Sequence, residues 1–286
     1  VTDAVAFAVT GATGALGGRV ARALAARGVA QRLLVRDPSR APALPGAEVA
    51  TASYADREAV ASALAGVRTL LMVSAAESAD RLDQHCAFVD AAAAAGVEHV
   101  VYTSFLGAAP DATFTLARDH WATEEHLRAS GMAFTFLRDS FYLDLMPALV
   151  GEDGVIRGPA GEGRVAAVSR DDVAASAVAV LLAPERHAAA TYDLTGPEAL
   201  TFTEIAAILT ERTGRTVRFH DETVEEAYAS RRRWEAPAWQ YDAWVSTYTA
   251  IARGELAAVT DHVEQLTGRA PTGLAACLER AGGSPT

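Results

Sequence analysis

"TGATGALGG", residues 10–18, stands between the apolar run "VAFAV" (5–9) and the alanine-rich "RVARALAARG" (19–28). Three glycines, Gly11, Gly14 and Gly17, follow the spacing G-x-x-G-x-x-G where a predicted strand gives way to a predicted helix. Gly11 permits the tight turn out of the strand, Gly14 lets a pyrophosphate approach the main chain, and Gly17 lets the helix pack closely on the strand. The amides that open the helix then face the phosphates, where the helix dipole favours negative charge. A glycine triplet alone is a weak signal. Its position between strand and helix is the context that makes it a dinucleotide-binding turn.

The same alternation continues outward. "AVAFAV" (4–9), "RLLVR" (32–36), "AEVAT" (47–51), "TLLMV" (69–73), "EHVVYTS" (98–104) and "AFTFLR" (133–138) read as strands, and 15–27, 56–65, 79–95 and 115–130 as helices. Apolar runs without alternation suit parallel strands covered on both faces. Strand and helix in turn predict an α/β, Rossmann-type doubly wound parallel sheet with right-handed crossovers. After residue 146 glycine and turn signals multiply, which predicts a loop with short strands. "SRDDVAASAVAVLLAP" then marks a helix capped by Ser169, and "ATYDLTGP" a strand. "TFTEIAAILTERTG" opens with a Thr201–Glu204 capping box and stops at Gly214, and "RTVRFH" reads as an edge strand. The expected organisation is a dinucleotide-binding core over 1–150, with 169–195 packing back on it, and a smaller α/β substrate lobe with an aromatic lid over 196–286.

Half of the 286 residues are hydrophobic, enough for a large core. There is no lysine: all 25 basic residues are arginine, against 36 acidic ones, for a net charge of −11. That balance argues against nucleic acid or an anionic membrane as main partner, since both demand a basic face. No apolar stretch is long enough to span a membrane, and the first residues lack the basic start of a signal peptide. Cys86 and Cys277 lie far apart without metal-type spacing. They read as two buried thiols in a reducing cytoplasm, with no metal site.

The second strand ends "RLLVRDPSR". An acid at this place marks NAD by bonding the ribose 2′-hydroxyl, whereas an arginine can hold a 2′-phosphate. Arg36 stands there, with Arg40 a turn further on as a second phosphate contact. Asp37 could instead turn inward to the ribose. NADPH is the favoured cofactor and NADH the alternative.

Together "AVTGATGALGGRV", "VRDPSR", "YADREAVASALAGV", "VVYTSFLGA", "FTFLRDSFYLD" and "YDLTGPEALTFTEIA" resemble the NmrA-like, atypical branch of the short-chain dehydrogenase/reductase superfamily, nearest to its NADPH-dependent quinone oxidoreductases. The resemblance weakens after about residue 220. It implies that Gly11, Thr13, Gly14, Ala15, Leu16 and Gly17 hold pyrophosphate and that Arg36 and Arg40 meet the 2′-phosphate. It implies further that Ser53 and Tyr54 flank the adenine, that Val73, Ser74 and Ala75 border the riboses, and that Thr103, Ser104 and the segment from Arg138 to Tyr142 surround the nicotinamide.

Members of the wider superfamily protonate an alkoxide with a tyrosine whose partner is a lysine four residues on. Without lysine that pair cannot exist here. Tyr228 and Arg232 have the spacing but read as a solvated helix face, and the run "SRRR" (230–233) as solvated charge. The natural substrate is one whose reduction ends on a weakly basic oxygen, as a quinone does, so that proximity and orientation carry most of the catalysis. His120, which the resemblance aligns with a histidine of the quinone reductases, is a candidate proton donor or a structural histidine. Tyr142, with Tyr102, is a further candidate.

Trp234, Trp239 and Trp244 crowd into "WEAPAWQYDAWVSTY". They either pack a small lobe or, with Phe105, Phe114 and Phe141, wall a flat aromatic substrate. The sequence thus points to an NAD(P)H-dependent reductase of a quinone or polycyclic aromatic ketone. Two alternatives stay open: a flavin-independent monooxygenase of an aromatic polyketide, or its reductive component beside an oxygenase partner, and a non-enzymatic NAD(P)-binding redox sensor. A homodimer is left open too.

Overall fold

The computed structural model describes residues 6–282. Residues 4 and 5 of the first strand, and residues 283–286 of the final "GGSPT", lie outside the described residues. The first half runs Phe7–Thr10 (β1), Ala15–Ala25 (α1), Gln31–Val35 (β2), Ala47–Thr51 (β3), Arg57–Ala63 (α2), Thr69–Met72 (β4), Arg81–Ala94 (α3), His99–Phe105 (β5), Thr115–Ala129 (α4) and Ala133–Asp139 (β6). Next come a 3-10 segment Leu143–Leu149, Val155–Gly158 (β7), Arg164–Val165 (β8), Arg170–Leu181 (α5), Ala190–Leu194 (β9), Leu200–Thr201 (β10) and Phe202–Thr213 (α6). Arg218–Asp221 (β11), Val224–Arg231 (α7), Ala238–Ala252 (α8), His262–Thr267 (α9) and Leu274–Gly282 (α10) complete it.

Seven strands form one sheet in the order β3-β2-β1-β4-β5-β6-β9. β1 pairs in parallel with β2 on one side, Val9 opposite Leu33, and with β4 on the other, Val9 opposite Leu71. The chain therefore steps outward from β1 to β3, then returns to continue on β1's far side. Ligands of doubly wound sheets bind at the carboxyl ends of the strands where the order reverses; here those ends are Thr10 and Met72, and the glycine turn begins at Gly11. Leu64, Leu70, Met72, Phe88, Tyr102, Leu127 and Phe136 fill the core between this sheet and its helices. Burying each such side chain contributes roughly 1.5–3 kcal/mol.

Two compact units emerge. One comprises the chain through residue 105 with 119–138 and 173–192; the other comprises 106–118, 139–172 and the chain from 193 on. The units interleave along the chain, beside the expected organisation of a core over 1–150 with 169–195 packing back on it and a lobe over 196–286. The segments that follow β5 and β6 bond within the second unit: Leu106 N–H donates to Asp139 O, Ser140 N–H to Leu194 O, and Thr113 N–H to Glu255.

In the second unit β7 pairs with β11 in parallel and β8 with β10 antiparallel. The Thr201–Glu204 capping box forms, and Gly214 ends α6 in the left-handed conformation. Ser169 caps α5 by accepting from the Asp172 amide. The run "SRRR" departs from its reading as solvated charge. Arg231 is buried, donates to the buried Glu222 carboxylate at 2.7 Å, and lies over the Tyr248 ring. Its partner sits on the neighbouring strand end, where spacing cannot announce it. Arg232 is exposed, as expected, and Tyr228 donates to Asp242.

Candidate functional site

Gly11 takes φ +63° and its carbonyl accepts the Gly14 amide at 2.8 Å, closing the turn. A Cβ on Gly17 would stand 2.5 Å from the carbonyl oxygens of both Thr10 and Gly11, and one on Gly14 would stand 3.2 Å from Gly11 O. Gly14 caps α1 without a side chain, so the first-turn amides of Ala15, Leu16 and Gly17 keep no partner inside the helix. Leu16 turns its side chain into the core and offers its main chain only; Thr13 is half-buried beside it. A cradle of unspent amides that a Cβ would fill fits a pyrophosphate.

Arg36 and Arg40 lie just past β2, both exposed, and neither guanidinium makes a hydrogen bond or ion pair among the described residues. Asp37 is not turned inward. Its carboxylate caps the short helix Pro38–Arg40, accepting from the Ser39 amide at 3.0 Å and the Ser39 hydroxyl at 2.6 Å. Those hydrogen bonds hold the Asp37 carboxyl below its ordinary value. Two uncommitted cations beside a committed acid suit a 2′-phosphate better than a bare ribose.

The segment Val73–Ala75, past β4, is fastened at every residue. Val73 N–H donates to Thr10 Oγ1, and Val73 O accepts Tyr54 Oη–H at 2.6 Å. Ser74 N–H donates to Thr103 Oγ1 at 2.9 Å. Ala75 N–H donates to His85 Nε2, and Ala75 O accepts Arg81 Nε–H. Behind this clamp lies a buried network whose protons its partners assign. Arg81 can only donate, so His120 Nε2 accepts its Nη2 at 2.9 Å and the ring proton sits on Nδ1, facing Tyr102 Oη at 2.9 Å. Likewise the Ala75 amide fixes the His85 proton on Nδ1, toward Thr123 Oγ1. Burial, then Arg81, pushes the pKa of His85 down to about 3, and burial, Arg81 and His85 hold His120 well below its ordinary value. Both imidazoles are neutral, and both nitrogens of His120 are taken by protein partners. Phe105 lies beside His120, ring centroids 6.0 Å apart.

Several side chains expected at the cofactor instead turn inward. Tyr54 stacks on Phe88 at 4.2 Å and spends its hydroxyl bridging β1 to β4; Ser53 beside it is exposed. Thr103 and Ser104 are buried, and Ser104 Oγ–H donates to Glu124 at 2.6 Å. Arg138 grips the same buried Glu124 through Nε at 2.8 Å and Nη2 at 2.7 Å.

In the second unit, Tyr142 Oη bonds Asp139 Oδ2 at 2.8 Å while the Arg170 guanidinium lies 4.8 Å over the Tyr142 ring. Hydrogen bonds of Phe141 O and the Leu143 amide to the Val168 main chain keep this segment extended. The structure brings Trp234 and Trp244 together edge to face at 6.1 Å, with Tyr241 against Trp244 at 5.8 Å. Trp239 stands apart from that pair, half-buried like Phe114 and Phe141. Phe105 belongs to the first unit, and Phe114, Phe141 and the tryptophans to the second.

Three residues of this network were missed from sequence, Arg81, His85 and Glu124; Asp139 was read only as part of the segment from Arg138 to Tyr142. "ATEEH" did signal an acid on the inner face of α4, because Glu124 follows His120 at helical spacing. Nothing local marked the others. Cys86 and Cys277 are free and half-buried rather than fully buried. No group of His, Cys, Asp and Glu among the described residues could hold a metal, and no described helix is long and apolar enough to cross a membrane.

Comparison with known proteins agrees with the fold. Quinone oxidoreductase 2 of Escherichia coli is 36% identical over 277 residues, covering 94% of this chain and 96% of its own length. The NAD(P)H azoreductase of Xenophilus azovorans is 35% identical over 91% of this chain and 92% of its own. The crystal structure of the E. coli NADPH-dependent quinone oxidoreductase with NADPH superposes with a TM-score of 0.87 at 34% identity, over 96% of this chain and 99% of that one. Citrobacter triphenylmethane reductase with NADP(H) reaches 0.85 at 33% identity, with the same coverage. The NmrA-like family profile matches residues 4–231, and on that match together with the relatives the chain belongs to the NmrA-like family.

Proposed function

We propose that this chain is an NAD(P)H-dependent oxidoreductase that prefers NADPH and reduces quinones by direct hydride transfer. The observation that carries the proposal is the cradle at the switch point: unspent first-turn amides against glycines, with Arg36 and Arg40 uncommitted beside it. The amides of Ala15, Leu16 and Gly17 hold the pyrophosphate, and the two arginines the 2′-phosphate. The clamp on Val73–Ala75 fixes the edge that borders the riboses. NADPH, when bound, supplies a hydride. The relatives named as a quinone oxidoreductase and an azoreductase and the absence of lysine agree on an acceptor that needs no strong general acid.

The test follows NADPH and NADH oxidation at 340 nm against simple quinones, anthraquinones and azo dyes, with and without O₂. Turnover of simple quinones unaffected by O₂ is expected. Turnover limited to polycyclic substrates with O₂ uptake would favour the monooxygenase. Tight cofactor binding without turnover would favour the sensor. The cofactor preference has its own check: the double substitution Arg36→Ala, Arg40→Ala should raise KM for NADPH roughly 10–100-fold, the worth of about one charge-assisted hydrogen bond at ~1.5–3 kcal/mol, since both guanidiniums are exposed. KM for NADH should hardly move. Equal effects on both cofactors would refute the assignment.

A further inference from the structure

Asp139 closes β6 with 2% of its surface exposed, and no ion pair reaches it among the described residues. Its Oδ2 bonds Tyr142 Oη at 2.8 Å; its Oδ1 is buried without a partner. An ionised carboxylate would not be left with a bare buried oxygen and no cation, because that arrangement costs several kcal/mol and the group neutralises instead. Burial pushes the Asp139 pKa up to about 8, and the bond from Tyr142 offsets this only in part. The charged groups facing the pair are Arg170, over the Tyr142 ring, and Asp144. The segment is not free to turn away. Asp139 O accepts the Leu106 amide, Ser140 N–H bonds Leu194 O, and Phe141 and Leu143 are tied to Val168.

The consequence concerns one proton. When Asp139 is a carboxylate, the Tyr142 phenol must donate to it, and that hydrogen is spent. When Asp139 is a carboxylic acid, its own O–H can donate across the same 2.8 Å contact and the phenolic hydrogen is released for another acceptor. We propose that Asp139, held as a neutral acid, is a positioning residue that keeps the Tyr142 proton free for delivery to the reduced substrate. The proposal rests on the quinone-reductase reading above. The balance is that of a two-electron reduction. The quinone gains a hydride from NADPH, which is oxidised to NADP⁺, and a proton from Tyr142 Oη. Solvent returns a proton to Tyr142 Oη, and Asp139 keeps its own, so the carboxylic acid donates its hydrogen bond without being consumed.

Two measurements on wild type, Asp139→Asn and Tyr142→Phe test it. The first is thermal stability from pH 4 to 8 without substrate. A raised folded-state pKa means that the unfolded chain releases the Asp139 proton near pH 4 while the folded chain keeps it to about pH 8. Wild-type stability therefore falls through that window relative to Asp139→Asn. Expected is a melting-temperature gap in favour of Asp139→Asn that opens by several degrees toward pH 8. Parallel curves would overturn the proposal. The second is the pH profile of kcat at saturating NADPH and quinone. Wild type should lose activity above about pH 8. The amide of Asp139→Asn still donates to Tyr142 but cannot ionise, so that variant should stay active and lose the alkaline limb. Tyr142→Phe should lower kcat roughly 100-fold with little change in KM. An unchanged alkaline limb in Asp139→Asn, or full activity in Tyr142→Phe, would overturn the proposal with the reductase reading intact. No turnover by wild type with any acceptor would instead sink that reading and the delivery step, while the stability curves still decide whether Asp139 is neutral.

Discussion

Gly17→Ala is expected to weaken NADPH binding at least ~100-fold and to lower the melting temperature by several degrees. The added methyl would sit 2.5 Å from two main-chain oxygens, Thr10 O and Gly11 O. Neither is the end of a flexible side chain, so relief requires α1 to move away from the turn. Such overpacking costs about 1–3 kcal/mol in stability. Binding suffers more, because the moving part is the set of amides that would hold the pyrophosphate, and each lost bond to a charged group is worth roughly 1.5–3 kcal/mol. The neighbouring substitution separates crowding from chemistry. Gly14 has φ −95°, which any residue adopts, and its Cβ would meet Gly11 O at 3.2 Å, a contact that a few tenths of an ångström relieve. Gly14→Ala should therefore melt close to wild type and bind with a modest loss. Thermal melts of the cofactor-free protein and fluorescence titration with NADPH read the two effects separately. Wild-type binding by Gly17→Ala would show that the turn is not the phosphate cradle.

Legibility in the sequence followed the range of the interactions. The turn at 10–18 and the apolar strands around it are local patterns, and the Rossmann-type doubly wound sheet they predict is the one observed. Capping boxes and terminal glycines are equally local, and the Thr201–Glu204 box and Gly214 stand where they were read. What the sequence did not carry was the direction of polar side chains. Tyr54, Thr103, Ser104 and Arg138 have the right strand ends, but their polar groups face Thr10, Ser74 and Glu124 within the protein. A strand's register fixes where a residue stands, whereas its bond depends on a partner tens of residues away. Arg231 shows the same limit at shorter range: three arginines in a row look solvated until Glu222, nine residues earlier and just ahead of α7, closes on the first of them. His120 illustrates both sides. Its place on α4 was legible, yet its burial and its neutral ring, held between Arg81 and Tyr102, were not, because Arg81 comes from α3. The discontinuous units share this origin, since chain crossings follow packing and not composition.

Glu124→Ala should be among the most destabilising substitutions in the first unit. The carboxylate is fully buried and accepts four bonds: Ser104 Oγ–H, Arg138 Nε and Nη2, and Arg128 Nη2 at 3.2 Å. Breaking a buried pair by removing one partner costs about 3–5 kcal/mol, because the remaining charge is left without compensation. The Arg138 side chain is 22% exposed and that of Arg128 36%, so water recovers part of the loss and the lower end, about 3 kcal/mol, is expected. Arg138→Ala tests the same bond from its other side. It strands a carboxylate with no exposure at all, so Arg128 alone must compensate it, and a cost at least as large follows. In the double substitution neither charge is left without its partner, and the cost should fall below the sum of the singles by more than about 1 kcal/mol. Urea denaturation of the four proteins reads this coupling; additive costs would mean that the pair is solvated and the geometry carries no energy. A functional consequence accompanies it. Ser104 follows Thr103, whose hydroxyl holds the Ser74 amide at the edge of the proposed cofactor cradle. Loosening Glu124 should then raise KM for NADPH while leaving kcat at saturation within a few-fold of wild type. A collapse of kcat with KM unchanged would place Glu124 in the chemistry itself rather than behind the strand ends that hold the cofactor.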